Sequence, residues 1–225
     1  MIPIRDTIPS RTKPMVNYFL IIFSCYVFYL QMKAGIKNDY LVKDYAFVPK
    51  DLFFFLQGEY KSLKPVKNMF TSMFLHGGLF HLIGNMLYLF IFGDNVEDRF
   101  GHFKYLIFYI FSGFIAAFFH FLFNPVSPIP TLGASGAVAG VMGAYFIFFP
   151  KSRVLTLVPI FIFFQFVEIP AVFFLMLWFL MQLFYGSASL FTGITNIAWF
   201  AHIGGFVFGI VVAIIYNIYI AIRRY

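Results

Sequence analysis

Charge is what this sequence has least of. Only 11% of its 225 residues are Asp, Glu, Lys or Arg and 61% are hydrophobic, where an ordinary soluble domain is about one-quarter charged. So few polar side chains cannot cover a water-facing surface on every side, which excludes a soluble globular domain. Cysteine is nearly absent: Cys25 stands alone inside an apolar run, so an intrachain disulfide and a cysteine-based metal site are excluded. Internal repeats and low-complexity tails are lacking too. The net charge of +7 comes with no basic stripe; the cations sit between apolar runs, where they meet anionic headgroups, and nucleic acid is not an expected partner. No H-E-x-x-H string occurs, which argues against a zinc protease. An intramembrane aspartyl protease needs two span aspartates, and Asp94, after Gly93 at a span end, has no partner.

What is there is apolar sequence along the whole length, with 36 phenylalanines, and one membrane domain over residues 1–225 is expected. A membrane helix needs about 20 apolar residues. Charge-free stretches predict six spans, at about 15–32, 76–93, 105–123, 133–149, 169–185 and 197–218. Pro125, Pro128 and Pro130 divide one long run, since proline cannot continue a helix. Gly186, Ser187, Ser189, Thr192, Gly193 and Asn196 mark a loop that divides the other. Residues 154–167, apolar but short and holding Pro159, read as an interfacial or re-entrant segment, and Glu168 beside Pro170 as the inner end of span five. The long outer loop 33–75 is expected to hold short surface helices.

The first span starts near Met15 with no small-residue cleavage site after it and reads as retained. Six spans put both termini on one side. That side carries nine Lys or Arg against seven lysines in the long loop. The positive-inside rule thus favours cytoplasmic termini by a small margin, helped by all six arginines lying on that side. A short chain with no targeting presequence suggests a bacterial or archaeal plasma membrane, an organelle being the alternative.

Polar residues inside a membrane are costly, and each is a functional hypothesis. Span two carries His81 and Asn85, span four opens with Gly133-Ala134-Ser135-Gly136, and span six opens with Ala201-His202-Ile203-Gly204-Gly205. These three spans start from the same, outer side, so the four side chains lie at similar depth and point to one shared cavity. Serine is a weak nucleophile until a base takes its proton, and His202 is the candidate base. His81 and Asn85, four apart on one helical face, can donate to an oxyanion, as can the backbone N–H of Ser135. No Asp or Glu lies in the outer half of a span, so a Ser–His dyad without a third member is the simpler proposal. Gly136, Gly140 and Ala144 form a small-residue stripe in span four, and Ala201, Gly205 and Gly209 another in span six; facing each other, they would bring Ser135 to His202.

Each feature alone has a blander reading. A GxSxG string in apolar sequence is more often helix packing, a lone span histidine a structural group or proton relay, and a span asparagine a tie between helices. Joint occurrence at one depth favours the catalytic reading. His76 and His120 read as structural or rim residues, Trp178 and Trp199 as span or interface aromatics, and His102 has no assigned role.

At these residues the chain resembles the rhomboid family of intramembrane serine proteases. The matching stretches are FLHGGLFHLIGNMLYLFIFGDNVEDRFG at 74–101, GASGAVAGVMGAY at 133–145 and AHIGGFVFG at 201–209, in the family's order and covering roughly residues 15–220. The resemblance implies an all-α integral membrane bundle of six transmembrane helices, with Ser135 as nucleophile, His202 as base, and His81 and Asn85 as the oxyanion pair. It also implies no cofactor and no metal, with the lipid bilayer and transmembrane protein substrates as partners, cut within or near the membrane. Two positions depart from the pattern. Many members have an aromatic four residues after the serine, where this chain has Ala139. Many have a Trp-Arg pair in the first outer loop, for which Tyr60-Lys61 is the nearest likeness.

The expected reaction is peptide hydrolysis through an acyl-enzyme, in a polar cavity opening to the outer face, with gating by a mobile span or by the outer loop near 186–196. One rival is a non-proteolytic rhomboid relative that binds membrane clients; such relatives typically lack the serine or histidine kept here. The other is a transporter or channel, for which paired broken helices and repeat symmetry would be expected; neither is found.

Overall fold

The computed structural model describes residues 1–160, 163–192 and 197–223. A strand, β1 (Ile2–Asp6), precedes α1 (Met15–Ala34), which continues through a 3-10 turn into α2 (Asn38–Tyr45). Two short helices, α3 (Pro49–Leu56) and α4 (Lys64–Thr71), occupy the long connection. Then follow α5 (Leu79–Phe100), α6 (His102–Phe123) and α7 (Ser135–Phe148), a hairpin of β2 (Arg153–Ile160) and β3 (Phe163–Pro170), and finally α8 (Ala171–Thr192) and α9 (Trp199–Ile222).

The helices form an all-α membrane bundle. Among the described residues, five helical runs are long and apolar enough to cross a membrane: Met15–Tyr45, α5, α6, Ala171–Phe191 and α9. The apolar helix α7 has only 14 residues, about 21 Å at 1.5 Å per residue, short of a hydrocarbon layer of about 30 Å.

α7 is the axis of the bundle, with Gly136 through Tyr145 all buried. It packs against α9 backbone to backbone. A Cβ on Gly205 would strike the Gly136 carbonyl, one on Gly209 the Gly140 carbonyl, and one on Gly143 the Phe206 carbonyl. The two small-residue stripes therefore face each other, and their closeness depends on the missing side chains.

Three segments differ from the sequence reading. Residues 154–160 and 163–167, read as an interfacial or re-entrant segment, lie in an antiparallel sheet ordered β1-β2-β3, with Leu157 opposite both Ile2 and Phe166; Phe161 and Ile162 lie outside the described residues. Glu168 sits in β3 opposite Leu155, three residues before α8 begins. Residues 186–192, read as a loop, are the last turns of α8; Ser189 Oγ donates to the Gly186 carbonyl at 2.6 Å, so the hydroxyl is satisfied within the helix. Gly193 and Asn196, from the same expected loop, lie outside the described residues. The helix that carries Asp94 runs on past it to Phe100.

The sheet end of the bundle is tied by carboxylates. Glu97, fully buried, accepts the N–H groups of Val16 at 3.0 Å and Asn17 at 2.7 Å, holding the start of α1, and it also bonds His102. Asp6 accepts from Tyr145 Oη and from Asn95 Nδ2, joining β1 to α7 and α5.

Candidate active site

The opposite end holds a cavity of about 750 Å³ whose lining includes His81, Asn85, Ser135, Trp178, Gln182 and His202. Its wall is completed by the irregular chain between α6 and α7, including Asn124, Ser127 and Ile129–Leu132. Non-helical backbone at membrane depth is tolerated where it is buried in protein or lines a water-filled cavity. Here it is pinned: Thr131 exchanges both backbone hydrogen bonds with Phe47, at 2.7 and 3.0 Å, and Gly133 N–H donates to the Ser72 carbonyl at 2.9 Å. Gly133 has φ +121°, a conformation open to glycine. This turn delivers Ser135 as the first residue of α7.

Ser135 Oγ lies 2.8 Å from His202 Nε2, linking the start of α7 to the first turn of α9. His202 Nδ1 lies 2.8 Å from Gln182 Oε1 on α8. The Gln182 amide nitrogen in turn donates to the Trp178 carbonyl at 3.2 Å. Two indoles flank the imidazole, Trp178 with ring centroids 6.0 Å apart and Trp199 at 6.2 Å.

His81 and Asn85 sit one turn apart on α5, beside Gly133. A Cβ built on Gly133 would lie 2.7 Å from His81 Nε2 and 3.6 Å from Asn85 Nδ2. His81 Nδ1 accepts the Gly77 N–H at 3.4 Å, which leaves its proton on Nε2. Asn85 Nδ2 is buried and has no protein partner among the described residues. Both side chains therefore line the cavity at the Gly133 turn that leads into Ser135.

The structure brings Ser135, His202, His81 and Asn85 around one cavity. His76 is a tie: its N–H donates to Gln31 Oε1 at 3.0 Å, and Gln31 Nε2 donates to its carbonyl at 3.2 Å. His120 is buried at the cavity edge. Ala139 is fully buried and packs toward Gly205; what braces the imidazole is the pair of tryptophans and Gln182. Tyr60 and Lys61 are exposed in the connection between α3 and α4.

Gln182 is the residue the sequence reading missed. It is an uncharged polar residue inside an expected span, which the cost of burying polar groups should have flagged. It lies in the second half of α8, which runs opposite to α5, α7 and α9, so it does not share their pattern of polar residues near a helix start.

The Rhomboid domain family model matches residues 64–218. RHOMBOID-like protein 1 of Arabidopsis thaliana is 39% identical over 79 residues, 35% of this chain and 20% of that protein. Rhomboid protease GluP of Bacillus subtilis is 33% identical over 133 residues, 59% of this chain and 24% of that protein. Inactive RHOMBOID-like protein 8 of Arabidopsis thaliana is 38% identical over 74 residues, 33% of this chain and 20% of that protein. The chain thus spans about a quarter or less of the length of these curated relatives.

Proposed function

This chain belongs to the rhomboid family, and on that premise we propose that it is an intramembrane serine endopeptidase cleaving transmembrane or membrane-proximal segments of other proteins. The observation that carries the reading is the 2.8 Å contact between Ser135 Oγ and His202 Nε2, in a cavity that Asn85 also lines.

Ser135 Oγ attacks the scissile carbonyl carbon while its proton passes to His202 Nε2. The oxyanion that forms takes hydrogen bonds from Asn85 Nδ2, His81 Nε2 and the backbone N–H at the start of α7. The C–N bond then breaks, and His202 gives its proton to the leaving amine. Water attacks the acyl ester, losing a proton to His202; the C–Oγ bond breaks and Ser135 recovers its proton. A substrate helix hides its carbonyls in its own hydrogen bonds, so the segment cut must unwind locally.

The test is covalent labelling by a fluorophosphonate probe of wild type, Ser135→Ala and His202→Ala, purified in detergent and in liposomes. Labelling of wild type alone is the expected result. Equal labelling of all three would sink the dyad. A folded wild type that neither labels nor cuts any transmembrane substrate in lipid would favour the non-proteolytic, client-binding reading.

A further inference from the structure

We propose that Gln182 is a positioning residue that fixes the tautomer of His202, its own orientation being set by the backbone carbonyl of Trp178. The proposal rests on the catalytic reading for its consequence, and on the hydrogen-bond geometry for its content.

The groups along this chain of hydrogen bonds have roles that cannot be exchanged. A backbone carbonyl oxygen only accepts. The Gln182 side-chain nitrogen lies 3.2 Å from the Trp178 carbonyl, so the NH2 end of the amide is committed to that side. Turning the amide over would set its oxygen against the carbonyl oxygen, two acceptors with no proton between them. The amide oxygen therefore faces His202 Nδ1 at 2.8 Å, and it too can only accept. Nδ1 must carry the proton of the neutral imidazole, which has just one. Nε2 is left as the acceptor, and at 2.8 Å the Ser135 hydroxyl donates to it. That is the direction a general base needs; the other tautomer would donate to Oγ and could not remove its proton.

The same placement explains why an amide serves here. Gln182 is 6% exposed on a helix apolar enough to cross a membrane. A carboxylate there would bear the cost of a buried charge, while an amide oxygen aims the ring without one. Two indoles bracket the ring but offer Nδ1 no acceptor, so orientation about the ring plane falls to Gln182.

A buried glutamine can also be a tie between helices, and the experiment separates the two roles. Imidazole nitrogen NMR on ¹⁵N-histidine protein reads the tautomer directly, with the His202 signals identified by their loss in His202→Ala. Wild type should show Nδ1 protonated and Nε2 bare. Gln182→Met, of similar size and without an acceptor oxygen, should show a mixture. Its maximal fluorophosphonate labelling rate should fall on the order of 100-fold, as expected for a misdirected general base, while the probe concentration giving half that rate stays unchanged. Gln182→Glu, held as the neutral acid by burial so that its O–H donates to the Trp178 carbonyl and its C=O still accepts from Nδ1, should restore both the single tautomer and most of the rate. A bare Nδ1 in wild type, or a tautomer unmoved in Gln182→Met, would overturn the proposal. Because the tautomer is read without any reaction, a wild type that labels no faster than Ser135→Ala would count against the protease reading alone.

Discussion

Among the described residues the buried Asn85 amide nitrogen has no hydrogen-bond partner, a condition that costs about 1–3 kcal/mol in a folded protein. On the proposed reading the site loses that stability at rest and recovers it when an oxyanion arrives. Asn85→Ala should therefore reduce the labelling or cleavage rate on the order of 100- to 1,000-fold, as loss of one oxyanion donor does, while leaving the thermal midpoint unchanged or raised. A parallel fall in both would mean that Asn85 is structural. Gly133 makes the complementary case. Its φ of +121° and the His81 ring against its missing Cβ leave no room for a side chain. Gly133→Ala should displace His81 or the turn before Ser135 and abolish labelling in a protein that still purifies as a folded species.

Among the elements, contact between α7 and α9 decides whether the dyad exists. A Cβ on Gly143 would meet the Phe206 carbonyl, which is backbone and cannot rotate away. Gly143→Ala should cost about 1–3 kcal/mol of stability, typical of overpacking, and should slow labelling by separating the two helices, although residue 143 is about two turns from Ser135. A thermal melt and a labelling time course on the same preparation check this. Glu97→Ala leaves the Val16 and Asn17 N–H groups without acceptors and should cost at least as much in stability. The glycine stripes on α7 and α9, and the polar residues on α5, α7 and α9, were legible in the sequence because both violate what lipid-facing helices otherwise do. The hairpin was not. Residues 154–167 are almost uniformly apolar, a pattern that fits a strand or a buried helix equally, and pairing with residues 2–6 is not local. The end of α8 was misread because Gly186, Ser187 and Ser189 look like loop composition, yet within a helix a serine can return its hydroxyl to a preceding carbonyl, as Ser189 does.

The whole molecule has two unlike ends: at one the cavity that holds Ser135 and His202, and at the other a sheet that clamps the N-terminal strand to the bundle through Asp6. That clamp has a pH dependence with a definite sign. Burial is the main cause that raises the Asp6 carboxyl from 3.8 to about 6, with the neighbouring Asp94 charge adding to it and the Tyr145 hydrogen bond opposing it. The folded state thus binds the Asp6 proton more tightly than the unfolded chain. Its contribution to stability is fully present below about pH 4 and is lost as pH rises through about 6. Between those values the Asp6 contribution should make the protein less stable as the pH increases, against the usual trend for carboxylates paired in the folded state. Asp6→Asn removes the titration and keeps an oxygen that can accept from Tyr145 and Asn95. The variant should match wild type near pH 4, exceed it near pH 7, and show a shallower slope between. Thermal midpoints across that range, in one detergent, test the assignment; identical slopes in the two proteins would place the titrating group elsewhere.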